Sequence, residues 1–185
     1  SIATSVCSFC AQMLAYVSLP FLFQNVFGFD QVQTGLLITP WPFAIIFAAP
    51  LSGVLSDRYS AGALGGIGLL ALTLGLALLA TLGPHPSAFA IAWRMALCGA
   101  GFGIFQSPNN RQMLSAAPRE RSGGASGMLG TARLTGQTIG AALVALIFGV
   151  SAERGPILAL VTAAGVAGVA SIVSLMRLRT PSRID

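Results

Sequence analysis

The sequence predicts an all-α integral membrane protein with six transmembrane helices, and three observations carry that prediction. First, 55% of the 185 residues are hydrophobic and only 8% are charged. A water-soluble domain carries charge on about a quarter of its residues, so this chain lacks the polar surface to cover a globule. Second, its apolar residues fall into runs at 2–27, 32–55, 63–82, 88–109, 125–148 and 156–176. Each is close to the roughly 20 residues that a helix needs to cross the hydrocarbon core. Barrel strands of about ten alternating residues would not produce such runs. Third, the charges gather between the runs. The net charge of +5 comes from ten basic residues, all arginine; they are dispersed along the chain and make no nucleic-acid-binding face.

Taken in order, the first run carries Gln12, Tyr16, Gln24 and Asn25, and Pro20 is expected to kink it. The second contains Pro40-Trp41-Pro42 and Pro50 and ends in Gly53-Val54-Leu55-Ser56-Asp57-Arg58. The third has Gly62, Gly65 and Gly66 at its start, which permit close packing, and almost nothing polar beyond Thr73 and Thr81. Gly83-Pro84-His85-Pro86 is a short turn, in which His85 reads as a solvated loop residue. The fourth run holds Arg94, Gly99, Gly101, Gly103 and Gln106. Residues 108–124 are expected to form the one long loop. The fifth run holds Gly127, Gly130, Arg133, Gln137 and Thr138, with Gly136 and Gly140 spaced for close contact between helices. The sixth offers only Thr162, Ser171 and Ser174 as polar groups, and residues 177–185 form a tail.

Polarity thus runs high, medium, low, then high, high, low, the hydropathy trace of a three-plus-three helix repeat. The third and sixth runs are expected to face lipid. Arg58, Arg111, Arg119, Arg121, Arg177, Arg179 and Arg183 lie on one side and Arg154 on the other. By the positive-inside rule the first group and the tail are cytoplasmic.

Several chemistries find no footing. Cys7, Cys10 and Cys98 lie inside apolar runs without metal-ligand spacing, so neither a metal nor a cofactor is expected. Asp30, Asp57, Glu120, Glu153 and Asp185 lie at run ends or in loops, so no carboxylate is placed to titrate in mid-membrane. Arg94 and Arg133 are the intramembrane charges; each either meets an anionic partner across a cavity or snorkels to an interface. Gly124-Ala125-Ser126-Gly127 matches the nucleophile pattern of rhomboid proteases, but no histidine follows Ser126 to act as its base. The chain is not expected to be an enzyme. It begins at Ser1 with no signal peptide before the first run, and is expected to be part of a larger protein.

Gly53-x-Leu55-x-Asp57-Arg58 resembles the cytoplasmic-loop signature of the major facilitator superfamily. Where that signature continues with a glycine and two basic residues, this chain has Ser60, Ala61 and Gly62, a degeneracy typical of the second half of such transporters. Tyr-Val-Ser-Leu-Pro-Phe-Leu-Phe-Gln at 16–24, Thr34-Gly35-Leu36 and Pro40 are similar to the seventh and eighth helices of twelve-helix members. These correspond to the ninth and tenth helices of fourteen-helix drug:proton antiporters. Gly101-Phe102-Gly103, Pro108-Asn109-Asn110 and the stretch 119–127 are similar to later helices of that branch.

The resemblance implies the C-terminal six-helix half of an alternating-access transporter in the bacterial inner membrane, exporting drug-like or amphipathic compounds by proton antiport. It implies a cavity lined by Gln12, Tyr16, Phe21, Gln24, Gln106, Asn109, Arg133 and Gln137, and a cytoplasmic gating motif of Gly53, Asp57 and Arg58. In it, Asp57 would clasp the positive start of a helix near 122–125 on the opposite half, and Arg58 would hold Glu120 or anionic lipid. The implied partners are a small-molecule substrate, membrane lipid and a second six-helix half. That half is either a missing N-terminal half or an identical chain in a two-fold dimer, with the second and fifth helices at the interface. The alternative from another class is a non-transporting membrane fragment or scaffold.

Overall fold

The computed structural model describes residues 2–115, 118, 122–151 and 153–176. Among them there is no strand, and six helices are long and apolar enough to cross a membrane. The elements are α1 (Ile2–Phe21) with a π-helical turn at Leu22–Val26, α2 (Gln31–Ile38), α3 (Pro40–Leu55), α4 (Ala61–Ala80), α5 (Ala88–Ser115), α6 (Ser122–Val150) and α7 (Gly155–Met176). The first span is α1 with its π turn, and the second is α2 with α3.

Local chemistry sets the ends. Pro20 has no N–H to donate, and the helix re-knits just beyond it with a wider turn, in which the Phe27 N–H donates to the Leu22 carbonyl at 3.1 Å. Gly28, at φ 75°, takes the left-handed conformation that leaves this turn. Asp30 and Gln33 then form a capping box: the Gln33 N–H donates to Asp30 Oδ1 at 2.7 Å, and the Asp30 N–H donates to Gln33 Oε1 at 3.2 Å. Ser60 caps α4 by accepting from the Ala63 N–H at 3.2 Å.

The expected long loop at 108–124 is corrected by the structure. Helix α5 continues through Pro108 to Ser115, and α6 begins at Ser122. The physical reason lies on another helix. Pro108 cannot donate to the Ile104 carbonyl one turn back. Ser52 of α3 donates its hydroxyl to that carbonyl instead, at 2.8 Å. Of the residues invoked from sequence, Arg119, Glu120, Arg121 and the tail 177–185, with Arg177, Arg179, Arg183 and Asp185, lie outside the described residues.

Packing realises the three-plus-three pattern as an exchange. Helices α3 and α4 of the first triplet pack on α5, the leading helix of the second; α6 and α7 pack on α1, the leading helix of the first; α4 and α7 pack on each other. Glycine makes these contacts close. A Cβ at Gly68 would lie 2.6 Å from the Gly101 carbonyl oxygen, and one at Gly101 would lie 2.5 Å from the Leu72 nitrogen. Gly136 and Gly140 seat α6 on the backbone of α1 around Cys10, the close contact their spacing predicted.

The reading of the third and sixth runs as lipid-facing holds for one side of each only. Ile67, Leu70 and Leu74 of α4 and Val161, Val169 and Ile172 of α7 are exposed. The opposite faces meet: Ser171 donates to the Gly66 carbonyl at 2.9 Å and Ser174 to the Gly62 carbonyl at 3.1 Å. The spans that find least cover are the second and fifth. Only 22% and 17% of their most apolar stretches are buried, against 44–61% in the other four.

Replacing Gly101 by valine should therefore destabilise the bundle by about 1–3 kcal/mol, the cost of overpacking a filled contact. Gly165→Ala, on α7 with nothing within 4 Å of its added methyl, should be neutral or stabilising by up to ~1 kcal/mol. Thermal melting of the detergent-solubilised protein would compare them; equal melting temperatures would refute the close α4–α5 contact.

Candidate functional site

Helices α1, α3 and α5 meet around two aromatic rings. The Tyr16 side chain lies beside Gln12, one turn earlier on α1. Its ring lies 5.1 Å from that of Trp41. Trp41 is fully buried, its indole nitrogen has no partner among the described residues, and its backbone lies directly on Gly99 of α5. A side chain at position 99 would displace α3 and with it this pairing.

Helical register places Gln106 beside this group. On α5, Gly99 and Gly103 face α3, while Phe102 and Asn109 face α1. At about 100° per residue, Gln106 falls on the arc between those two contacts, half-buried. On α6, Gly136 and Gly140 sit on α1, and Arg133 and Gln137 flank that ridge, the first exposed and the second half-buried.

Two predicted lining residues have other neighbours. Asn109 is 5% exposed and serves as a strut between α1 and α5. Its Nδ2 donates to Ser5 Oγ at 2.7 Å, and Met113 Sδ lies 3.7 Å from the same hydroxyl. Phe21 lies five residues past Tyr16, about 140° round the helix, and packs edge-on against Phe148 at 5.2 Å. It lines a separate cavity of about 640 Å³ with Asn25, Glu153 and Pro156. Gln24 lies half-buried in the π turn.

The gating motif also has a partner within the chain. Arg111 Nη1 donates to Asp57 Oδ1 at 2.6 Å and to Ser56 Oγ at 3.0 Å. Both side chains of this ion pair are 62% exposed. Sequence reasoning used Arg111 only as a marker of orientation; had α5 been run on past Pro108, Arg111 would have come level with the end of α3. Ser5 was missed too, since a serine at a span end is unremarkable in sequence. Arg58 is exposed. A Cβ at Gly53 would meet Ser107 Oγ at 3.3 Å, so the motif glycine keeps α3 close to α5.

Arg94 lies away from this face. Its backbone carbonyl is against Gly75 of α4. Its guanidinium bends back one turn, donating to the Ala90 carbonyl at 2.6 Å and lying 4.5 Å from the centre of the Trp93 ring. Gln12, Tyr16, Gln106 and Gln137 between them carry amides, a phenol and aromatic surface. Such groups hydrogen-bond and stack; they hold no fixed charge of their own and supply no nucleophile–base pair.

Comparison with known proteins follows the same lines. Residues 1–141 match the Major Facilitator Superfamily. An uncharacterized transporter of Escherichia coli (strain K12), YebQ, is 56% identical over 181 residues, 98% of this chain and 40% of that protein. Multidrug resistance protein Stp of Mycobacterium tuberculosis is 33% identical over 148 residues, covering 78% of this chain and 27% of Stp. A probable actinorhodin transporter of Streptomyces coelicolor is 32% identical over 127 residues, 65% of this chain and 22% of that protein. The chain spans 40% or less of the length of these curated relatives.

The two polar links should differ in energetic weight. Asn109→Ala removes a buried interhelical bond and should cost about 1 kcal/mol. Arg111→Ala breaks an exposed ion pair worth less than about 1 kcal/mol, and only this second loss should vanish in high salt. Melting curves of both variants at low and high ionic strength read the difference.

Proposed function

The chain belongs to the major facilitator superfamily, and on that premise we propose that it forms one six-helix half of an alternating-access exporter of drug-like or amphipathic compounds. Its family and relatives are transporters, and it is a multi-pass membrane protein. The proposed setting is the bacterial inner membrane, with the Asp57 end and the tail in the cytoplasm, as the arginine bias favours. Export of drug-like compounds draws support from the likeness to Stp, a multidrug resistance protein, and to the probable actinorhodin transporter; proton antiport rests on the resemblance to the drug:proton antiporter branch.

The observation that carries the proposal is the low burial of the second and fifth spans, and we read the polar residues of α1, α5 and α6 as one face between them. Gln12, Tyr16, Gln106, Arg133 and Gln137 lie on or beside the α1 and α5 faces that α3 and α6 flank, and it is α3 and α6 that leave most surface uncovered. In this reading the uncovered sides of α3 and α6 receive the second half, either the N-terminal portion of a longer protein or an identical chain about a two-fold axis. The polar face then becomes one wall of a shared cavity, in which Tyr16 offers an aromatic surface and the amides orient a bound compound. Asp57, Arg111 and Arg58 gather where the halves would part and close on the cytoplasmic side. Gln24 joins the wall at its outer end, while Asn109 fixes the angle between α1 and α5.

Proton antiport needs a group that titrates inside the membrane. Among the described residues the acids Asp30, Asp57 and Glu153 lie at or beyond helix ends. The coupling carboxylate is therefore assigned to the other half.

Dye or drug accumulation in cells expressing the protein tests this reading. Gln106→Ala and Tyr16→Phe should each lower efflux on the order of tenfold, equivalent to about 1.4 kcal/mol of lost binding, with unchanged amounts in the membrane. Asp57→Asn should slow efflux while leaving the melting temperature nearly unchanged. A proton uncoupler should abolish export. Accumulation unaffected by the wild-type protein would sink the exporter reading and leave a non-transporting scaffold; export that survives the uncoupler would sink proton coupling alone.

A further inference from the structure

Helix α5 has one arc that no other helix among the described residues covers. Gly99 and Gly103 take α3, Phe102 and Asn109 take α1, and Gly101 and Phe105 take α4. The remaining arc, opposite α1 and so away from the polar face, carries Trp93, Leu97, Ala100 and Ile104. Together with Phe47 and Leu51 of α3 it walls an open groove of about 580 Å³. From Trp93 to Ile104 the groove follows 11 residues of helix, about 16 Å at 1.5 Å per residue. That is about half of the roughly 30 Å hydrocarbon core, the depth of one leaflet.

A cation closes the outer end. Arg94 lies six residues into α5, and its side chain bends back toward the helix start, level with Ala90. Phe89 and Trp93, exposed on the groove side at 80% and 40%, mark the depth at which aromatic residues favour the headgroup region. The guanidinium rests over the Trp93 ring, and Nη1 donates to the Ala90 carbonyl. Among the described residues its Nε is buried and finds no partner. A guanidinium has five N–H donors in a fixed fork, and one carbonyl leaves most of them to be met. The acceptor that lies at this depth, next to an apolar groove one leaflet long, is a phosphodiester oxygen, which suits the fork bidentately.

We propose that this is a specific phospholipid site: an acyl chain of the leaflet at the α4–α5 turn lies in the α3–α5 groove, and its headgroup phosphate is held by Arg94 against Trp93. The site is independent of the transport reading, because it faces away from the polar wall and uses none of its residues.

Native mass spectrometry of the detergent-purified, delipidated protein titrated with phosphatidylglycerol tests it. The wild type should retain one lipid per chain through activation that strips the rest. Arg94→Gln and Ala100→Leu, the second filling the groove without touching the arginine, should each weaken that binding by about tenfold or more. Arg154→Gln, which removes an exposed arginine from the same end, should not. Melting curves verify folding, and Arg94→Lys, which keeps the charge but loses the fork, should bind in between should Arg94→Gln fail to fold. Equal retention by all variants would overturn the site. So would displacement of the lipid by inorganic phosphate at matched concentration, since the groove would then contribute nothing.

Discussion

A helix in hydrocarbon has no water to satisfy a freed carbonyl, and this fold is arranged around where such carbonyls find donors. At Ile104 the missing partner is the N–H that Pro108 lacks, and Ser52 supplies a hydroxyl from α3. That bond does two things: it supplies the donor that Pro108 withholds as α5 runs on to Ser115, and it ties α3 to α5 near the Asp57 end of α3. Along the helix so continued, Asn109 meets Ser5 and Arg111 reaches Asp57. The serines of α7 act alike, adding second donors to the Gly66 and Gly62 carbonyls of α4. Each polar group in these spans is thus also a statement about which helix lies next to it.

Glycine supplies the complementary condition. A hydroxyl can reach a neighbour's backbone only where the two helices come close, and the closest approaches occur at Gly68 with Gly101, Gly99 with Trp41, and Gly136 and Gly140 with α1. These contacts force each triplet to lean on the leading helix of the other. The leading helices α1 and α5 are drawn to the centre, α4 and α7 close one side, and α3 and α6 each pack mainly on one neighbour, α5 and α1 respectively. The broad bare faces of α3 and α6 follow from that topology, because a helix packed mainly on one neighbour buries mainly one stripe.

Much of this was legible in the sequence, for a physical reason: crossing a bilayer demands about 20 apolar residues, and little else yields six such runs in 185. The spacing of Gly136 and Gly140 announced a close contact for the same kind of reason. What the sequence concealed were the interactions that cancel a local rule. A proline ends a helix on local grounds, and nothing near Pro108 reveals a hydroxyl 56 positions earlier that makes continuation tolerable. Hence the long loop expected after residue 108, and hence the oversight of Arg111. Asn109 and Phe21 were read as lining because polarity and aromaticity mark a residue without fixing its direction. Asn109 faces a serine on α1, and Phe21 faces Phe148. Direction depends on the rotation of each helix about its axis, which the Gly contacts set.

The two intramembrane arginines show how such rotation divides roles between similar residues. Both cost free energy in hydrocarbon, and both lie on helices otherwise built for packing. Arg133 flanks the ridge where α6 meets α1, and it projects from the span that is least covered by its own bundle. Arg94 is turned to the opposite side of α5, and its guanidinium is held by its own helix carbonyl and by Trp93. A charge that is to meet a substrate has to remain available to the cavity, whereas one already bent to the interface has spent its reach on depth. In the proposed reading the same residue type would serve recognition in one place and the lipid boundary in the other, according to which side of each helix the glycines claim.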